Sequence, residues 1–312
     1  MVKILIGLGS FAIIYWRLKD DFTSDEILIL QNSLSTTTAY FLLSFCLLLV
    51  PVNWGIESYK WKLITHPIEN ISIVTAMKSV YSGVCVGNLA PGRATEFLAK
   101  VLFFKSDNRP TITLLHFVNG MFQLSITILC GLIALVFKLD VGNGLNSMQF
   151  LMIGIFCMLL LAVFMMFIFK FNTLQKWIFS LFKKTLASKN FPYSFTKKSI
   201  RTLFSLSLLR YFVFTLQFVV VLKLFYSEPL NSGILASVCI YFLLTTVLPM
   251  ISFIEPAIRA AIAVLVFSGL EISEISLVTT AILVWLINIA LPSIIGYIII
   301  VKEKFDFSLF KK

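Results

Sequence analysis

The stretch Gly87-Asn88-Leu89-Ala90-Pro91-Gly92-Arg93-Ala94-Thr95-Glu96-Phe97-Leu98-Ala99-Lys100 interrupts an apolar region that runs from about residue 71 to 105. Proline removes a backbone donor and clashes with the preceding turn, and glycine is a poor helix former, so no regular helix is expected to run through Pro91-Gly92. A second apolar region, about 231–270, is broken by Leu248-Pro249-Met250-Ile251-Ser252. Each region is long enough to enter hydrocarbon and return. Backbone breaks at membrane depth are tolerated only where protein or a wet cavity satisfies the freed polar groups. Both regions therefore read as re-entrant hairpins or broken helix pairs.

The flanking sequence makes hydrocarbon the relevant solvent. Of 312 residues, 59% are hydrophobic and only 13% charged, against about 25% charged in soluble domains. Mean hydropathy is +0.95. So few charges cannot cover the surface of a soluble globule this size. Around the two broken regions lie six stretches near the 20 or so residues needed to span: about 2–18, 38–62, 110–137, 148–170, 200–226 and 275–301. The first lacks a small-x-small cleavage pattern and reads as an uncleaved span. The expected fold is an all-α integral membrane protein, a single polytopic domain over 1–312. It has six transmembrane helices plus two re-entrant or broken helical hairpins.

Charge placement orients this scheme. The formal net charge is +11, and the segment from Lys170 to Arg201 holds eight bases and no acid. In a soluble chain that balance would point to nucleic acid. Here the bases gather in one loop and the termini, so anionic membrane lipids are the expected partner and nucleic acid is not. By the positive-inside rule the 170–201 loop is cytoplasmic. Counting outward, Lys3, the Lys60–Lys62 region, the Lys105–Arg109 region and the tail with Lys302, Lys304, Lys311 and Lys312 also fall inside. Asp20, Asp21, Asp25, Glu26, Glu228, Glu271 and Glu274 fall outside. The pattern holds if each broken region returns to the face it left. Both termini are then cytoplasmic, and the halves at approximately 1–140 and 145–305 form an inverted repeat, an arrangement many transporters use.

Both breaks carry a Glu a few residues after the proline and a base four residues after that Glu: Glu96 with Lys100, and Glu255 with Arg259. Spacing of four puts both side chains on one helix face. A charge inside a bilayer costs about 2.5–3.5 kcal/mol on insertion scales, so such groups pair or face water. Pro256 suits a first helical position, and Ser252-x-x-Glu255 has capping-box spacing. Free donors at a half-helix start can also hold a phosphate, to which Arg93 adds a forked donor set. The candidate substrate-binding residues are Arg93, Glu96, Lys100, Glu255 and Arg259. The alternatives are clamps that cap the half-helices, or placement at the interface. Glu57, with Trp54 and Trp61, reads first as an interfacial anchor and otherwise as a gate to the first hairpin. Arg210 and Gln217, seven apart, read as a polar seam against a neighbouring span, and Gln123 as a further supporting polar group. His66 and His116 are isolated, and the five cysteines have no metal or redox spacing, so no metal, cofactor or disulfide framework is expected. The 174–187 part of the basic loop has helical apolar spacing and reads as a surface-lying helix.

Asn53-Trp54-Gly55-Ile56-Glu57-Ser58-Tyr59-Lys60-Trp61-Lys62 resembles the N-W-x-x-E-x-x-K-W signature of the lysylphosphatidylglycerol synthase transmembrane, or flippase-like, family. Ala90-Pro91-Gly92-Arg93-Ala94-Thr95-Glu96 resembles its T-P-x-R-x-G-E element, with Ala90 and Thr95 departing from the pattern. Gln123, Arg210-Tyr211 with Gln217, and Pro249 with Glu255 and Arg259 are similar to further elements. The resemblance implies the membrane half of that family, without its aminoacyl-transfer domain. It implies movement of an anionic or aminoacylated lipid between leaflets. The expected function is thus a lipid flippase of the cytoplasmic (inner) membrane, acting on an anionic phospholipid or lipid-linked headgroup. A non-catalytic assembly subunit is the alternative. A membrane-embedded lipid-modifying enzyme is disfavoured, because no paired-Asp motif, His cluster, nucleophile elbow or phosphate-binding glycine loop is present.

Overall fold

The computed structural model describes residues 31–88, 95–141, 195–248 and 254–303, with Ile155 and Lys170. The expected span at 2–18, nearly all of the one at 148–170, most of the basic loop, Arg93, Pro91 and Pro249 lie outside the described residues.

The described residues fold into helices and contain no strand. In chain order they are α1 (Thr37–Thr65), α2 (Ile73–Gly87), α3 (Glu96–Val101), α4 (Arg109–Val141), α5 (Lys197–Leu222), α6 (Ser232–Val247), α7 (Glu255–Val266), α8 (Glu274–Trp285) and α9 (Leu291–Lys302). A single π-helical turn, Leu286–Ala290, joins α8 to α9. Four runs are long and apolar enough to cross a membrane: Thr37–Thr65, Ser106–Lys138, Lys197–Leu222 and Glu274–Lys302. They fall on four of the stretches picked out by hydropathy. At 1.5 Å per residue, the 29 residues of α1 span about 44 Å, more than a hydrocarbon core needs.

Local chemistry sets the boundaries. Thr36, Ser72, Thr196, Asn231 and Ser273 each sit at an N-cap and accept the amide three residues on, satisfying a donor the first turn leaves free. α6 stops at Leu248, whose backbone is extended, as expected for a residue that precedes proline. Of the expected capping box, Ser252 lies outside the described residues and Glu255 does not take the third helical position. α7 opens on Glu255 itself, with Pro256 second and Ile254 as N-cap without a side-chain bond. Glu255 therefore sits two positions too early to serve as the third residue of a box.

Within each of the two regions the described helices are in contact, α3 with α2 and α7 with α6. α1 lies along α5, α4 along α6, and α2 along α9. Two close approaches make the last two contacts. A Cβ on Gly131 of α4 would lie 2.5 Å from Leu243 Cβ of α6, and one on Gly296 of α9 would meet the Tyr81 carbonyl of α2. Lysines tie the ends of the same pairs. Lys138 of α4 donates to Ser237 Oγ of α6 at 2.7 Å and to the Val266 carbonyl ending α7 at 2.5 Å. Lys78 of α2 pairs with Glu303, just past α9, at 2.6 Å.

Large apolar side chains face outward, and the mostly apolar interior also encloses a set of polar and charged groups. Phe41, Leu48, Phe212, Ile294 and Tyr297 are exposed, whereas Asn53, Glu57, Lys60, Lys100, Asn119 and Glu255 are buried. An aromatic core joins α5 and α6, with Phe214 and Phe242 centroids 4.6 Å apart and Phe218 and Tyr241 4.7 Å apart.

Gly131→Leu forces α4 from α6 and is expected to cost about 1–3 kcal/mol, as overpacking does. Thermal unfolding in detergent checks this, and adding Leu243→Ala should restore part of the loss.

Candidate functional site

On α1 the residues Asn53, Trp54, Glu57, Lys60 and Trp61 recur at helical spacing and share one face, which is turned inward. Glu57 is the centre. Its carboxylate lies 3.4 Å from Lys60 Nζ and 3.2 Å from Arg210 Nη1 of α5, and accepts Asn119 Nδ2 of α4 at 2.7 Å. Arg210 also donates from Nε to Asn53 Oδ1 at 3.0 Å and lies over the Trp54 ring at 5.2 Å. One carboxylate thus holds two bases, and three long helices meet on it.

Glu57, Trp54 and Trp61, expected first as an interfacial anchor, are all buried within the protein. Lys60, counted from the sequence with the cytoplasmic charges, has a side chain that is 0% exposed. The helix runs on to Thr65, and Lys60 follows Glu57 by three residues, so it faces the interior with its partner.

The two Glu–base pairs form as the spacing implies. Glu96 and Lys100 are 2.7 Å apart, and Glu255 and Arg259 are 2.8 Å apart. Both glutamates open their helices, α3 and α7, where a carboxylate offsets the free backbone donors. Lys100 is stitched into the core. Its Nζ lies 5.1 Å from the Trp61 ring, Trp61 Nε1 donates to Ser79 Oγ at 3.0 Å, and Ser79 donates to the Lys100 carbonyl at 3.0 Å.

Two adjoining cavities open onto these groups. The first, about 280 Å³, brings together Glu57, Glu96, Lys100, Asn119, Gln123 and Arg210. The second, also about 280 Å³, is lined by Asn53, Gln123, Arg210, Arg259, Trp285 and Asn288 among others. Trp54, Gly120, Gln123 and Arg210 border both. Of the residues singled out from the sequence, Glu57, Glu96, Lys100, Gln123, Arg210 and Arg259 therefore lie around one continuous polar interior. Glu255 holds Arg259 from behind and lines neither cavity. Gln217 stands apart. Its Nε2 donates to the Cys46 carbonyl at 3.1 Å, and Cys46 Sγ donates to the Gln217 carbonyl at 3.7 Å. Arg210 and Gln217 do face a common neighbour, α1. Arg93 lies outside the described residues.

Lys60, Asn53, Asn119 and Asn288 belong to this interior, although they were not among the candidates. For the two on α1 the signal was present: with Glu57 they form a polar stripe at i, i+4 and i+7 in an apolar helix. Asn119 carried the same signal, with His116 and Gln123 at i, i+3 and i+7, whereas Asn288 is a lone polar residue in an apolar run and carries none. His116 lines the first cavity, with its ring packed beside Trp61, Phe97 and Phe117. Among the described residues no three His, Cys, Asp or Glu side chains converge as a metal-ligand set.

Glu57→Gln strands two buried bases, whereas Arg210→Gln leaves Glu57 paired with Lys60. Breaking a buried pair costs about 3–5 kcal/mol, so Glu57→Gln is expected to lower the unfolding midpoint in detergent well below Arg210→Gln.

No protein-family model matches the chain, and a search of curated proteins finds no match either.

Proposed function

We propose that the chain is a lipid translocase of the cytoplasmic membrane, one that passes an anionic phospholipid or lipid-linked headgroup between leaflets without covalent chemistry. The observation that carries this reading is the pair of adjoining cavities sharing Arg210, lined by ionised side chains, inside helices apolar enough to cross a membrane. Such a polar interior is expensive to build in hydrocarbon and marks a route for a polar group. A headgroup could move from one cavity to the next past Arg210 while its acyl tails stay outside. Exchanging one charged contact for another keeps the desolvation cost low along the way. The resemblance to the lysylphosphatidylglycerol synthase transmembrane family supports the same reading. Its signature residues Asn53, Trp54, Glu57 and Lys60, with Arg210, are those that meet at the centre.

The proposed architecture is an inverted repeat with six spans and two re-entrant hairpins, α2–α3 entering from the cytoplasm and α6–α7 from outside, and both termini cytoplasmic. The crosswise packing supports it. The closing span of each half packs on the first hairpin helix of the other, through Gly131 in one case and Gly296 in the other. α1 and α5, the equivalent spans, pack on each other. Transporter sites commonly lie at such repeat interfaces.

In a cysteine-free background, Asn70→Cys and Asp107→Cys should react with an impermeant maleimide only from the cytoplasmic side. Glu228→Cys and Glu271→Cys should react only from outside. Both hairpin ends labelled from different faces would rule out re-entry.

In proteoliposomes, the wild type should speed exchange of a fluorescent anionic phospholipid between leaflets. Glu96→Gln, Glu255→Gln and Arg259→Ala should each slow it by about tenfold or more, the loss of one charge-assisted contact, while far-ultraviolet dichroism is retained. No exchange by folded wild type, with a second chain copurifying in equal amount, would favour an assembly subunit. A chemically altered lipid would favour an enzyme.

A further inference from the structure

The two cavities differ in their ionised linings. The first is lined by two carboxylates, Glu57 and Glu96, and by two bases, Lys100 and Arg210. Among the described residues lining the second there is no Asp or Glu, and the ionised groups there are the guanidinium groups of Arg210 and Arg259.

The neutral polar groups of the second cavity have a fixed sense. A guanidinium only donates, so Arg210 Nε makes Asn53 Oδ1 the acceptor, at 3.0 Å. Asn53 must then present Nδ2 onward, and it donates to Asn288 Oδ1 at 3.3 Å. That leaves Asn288 Nδ2 facing away from its partner, in a residue only 9% exposed, with no acceptor. Turning the Asn288 amide over would set two donors against each other. The orientation is therefore dictated by Arg210 and relayed through two amides. The indole Nε1 of Trp54, 3% exposed, and that of Trp285 also lack acceptors, and both residues border the cavity. Trp285 and Asn288 flank and occupy the π-helical turn. Such turns recur at functional sites, because the extra residue redirects side chains that a regular helix would spread around its circumference.

Three buried donors without acceptors are costly unless something accepts from them. Gln123 Oε1 is an unpartnered acceptor on the wall shared with the first cavity, placed for a hydroxyl of the same ligand. We propose that the second cavity is the seat of a phosphodiester or phosphate-ester anion. Arg210 and Arg259 form its two charged jaws, and Trp54, Trp285 and Asn288 supply its neutral donors. This inference rests on the translocation reading for its place on the lipid route. It adds the chemical class of the bound group and two residues, Trp285 and Asn288, that select it. Arg210 and Arg259 are each paired on their far side, with Glu57 and Glu255, so the preference for a phosphate group comes from the acceptor-less donors together with a wall that carries no carboxylate.

Trp285→Phe and Asn288→Leu test the seat without touching an ion pair. The full chain is placed in phosphatidylcholine nanodiscs doped with phosphatidylglycerol or with diacylglycerol, and lipid retention is read by native mass spectrometry. Glycerol 3-phosphate and inorganic phosphate are titrated in parallel against the unfolding midpoint. The wild type should retain phosphatidylglycerol in preference to both other lipids. The double variant should lose that preference by about tenfold or more. Ligand-free stability of Trp285→Phe alone should be unchanged or raised, because a buried donor without a partner has been removed; a purely structural indole would lower it. Stabilisation by glycerol 3-phosphate that the variants abolish, without lipid retention, supports the same seat with a water-soluble ester as its source. Equal retention of diacylglycerol by the wild type overturns the proposal. So does an unchanged preference in Trp285→Phe, or in the double variant where it folds. Lipid exchange is scored separately: selective retention without exchange removes the translocation reading and leaves the seat, while exchange with no phosphate selectivity removes the seat alone.

Discussion

An ionised carboxylate enclosed by helices persists only if positive charge and hydrogen-bond donors reach it. The idealised cost of moving such an ion from water into a medium of low dielectric constant is of order 20 kcal/mol. Glu57 meets that requirement with Lys60, Arg210 and Asn119 at once. Because these partners come from α1, α4 and α5, the relative placement of three spans is set by one side chain. Arg210 carries the constraint further. Its second contact orients Asn53, Asn53 orients Asn288, and the π-helical turn is drawn into the same network. Glu96–Lys100 and Glu255–Arg259 are more local. Each joins two residues of one helix, and Lys100 also reaches the Trp61 ring of α1.

Hydropathy alone located the four long apolar helices, because a hydrocarbon-crossing segment is defined by length and composition and needs no knowledge of its neighbours. The two Glu–base pairs were legible for an equally local reason, their four-residue spacing. Partner choice was not legible. Nothing near Arg210 in the chain points to Glu57, and a lysine near the end of an apolar run reads as a boundary marker, which is why Lys60 was counted with the cytoplasmic charges. The polar stripe Asn53–Glu57–Lys60 turns inward, the opposite of the sense in which a soluble amphipathic helix is read. The π-helical turn left no trace in composition, and with it went the role of Asn288, whose direction depends on that one irregular turn.

The cavities show how a modest set of charges can divide labour. Arg210 stands on the wall they share, with Glu57 on one side and an amide relay on the other. Lining carboxylates, Glu57 and Glu96, occur on the first cavity alone, while among the described residues the second is lined by bases and neutral polar groups.

The paired contacts between Cys46 and Gln217 have a mechanical consequence. Each residue reaches the other's main-chain carbonyl, so neither α1 nor α5 can slide by a turn without losing both links. The clasp therefore resists sliding of α1 along α5 and fixes the register in which the two helices lie side by side.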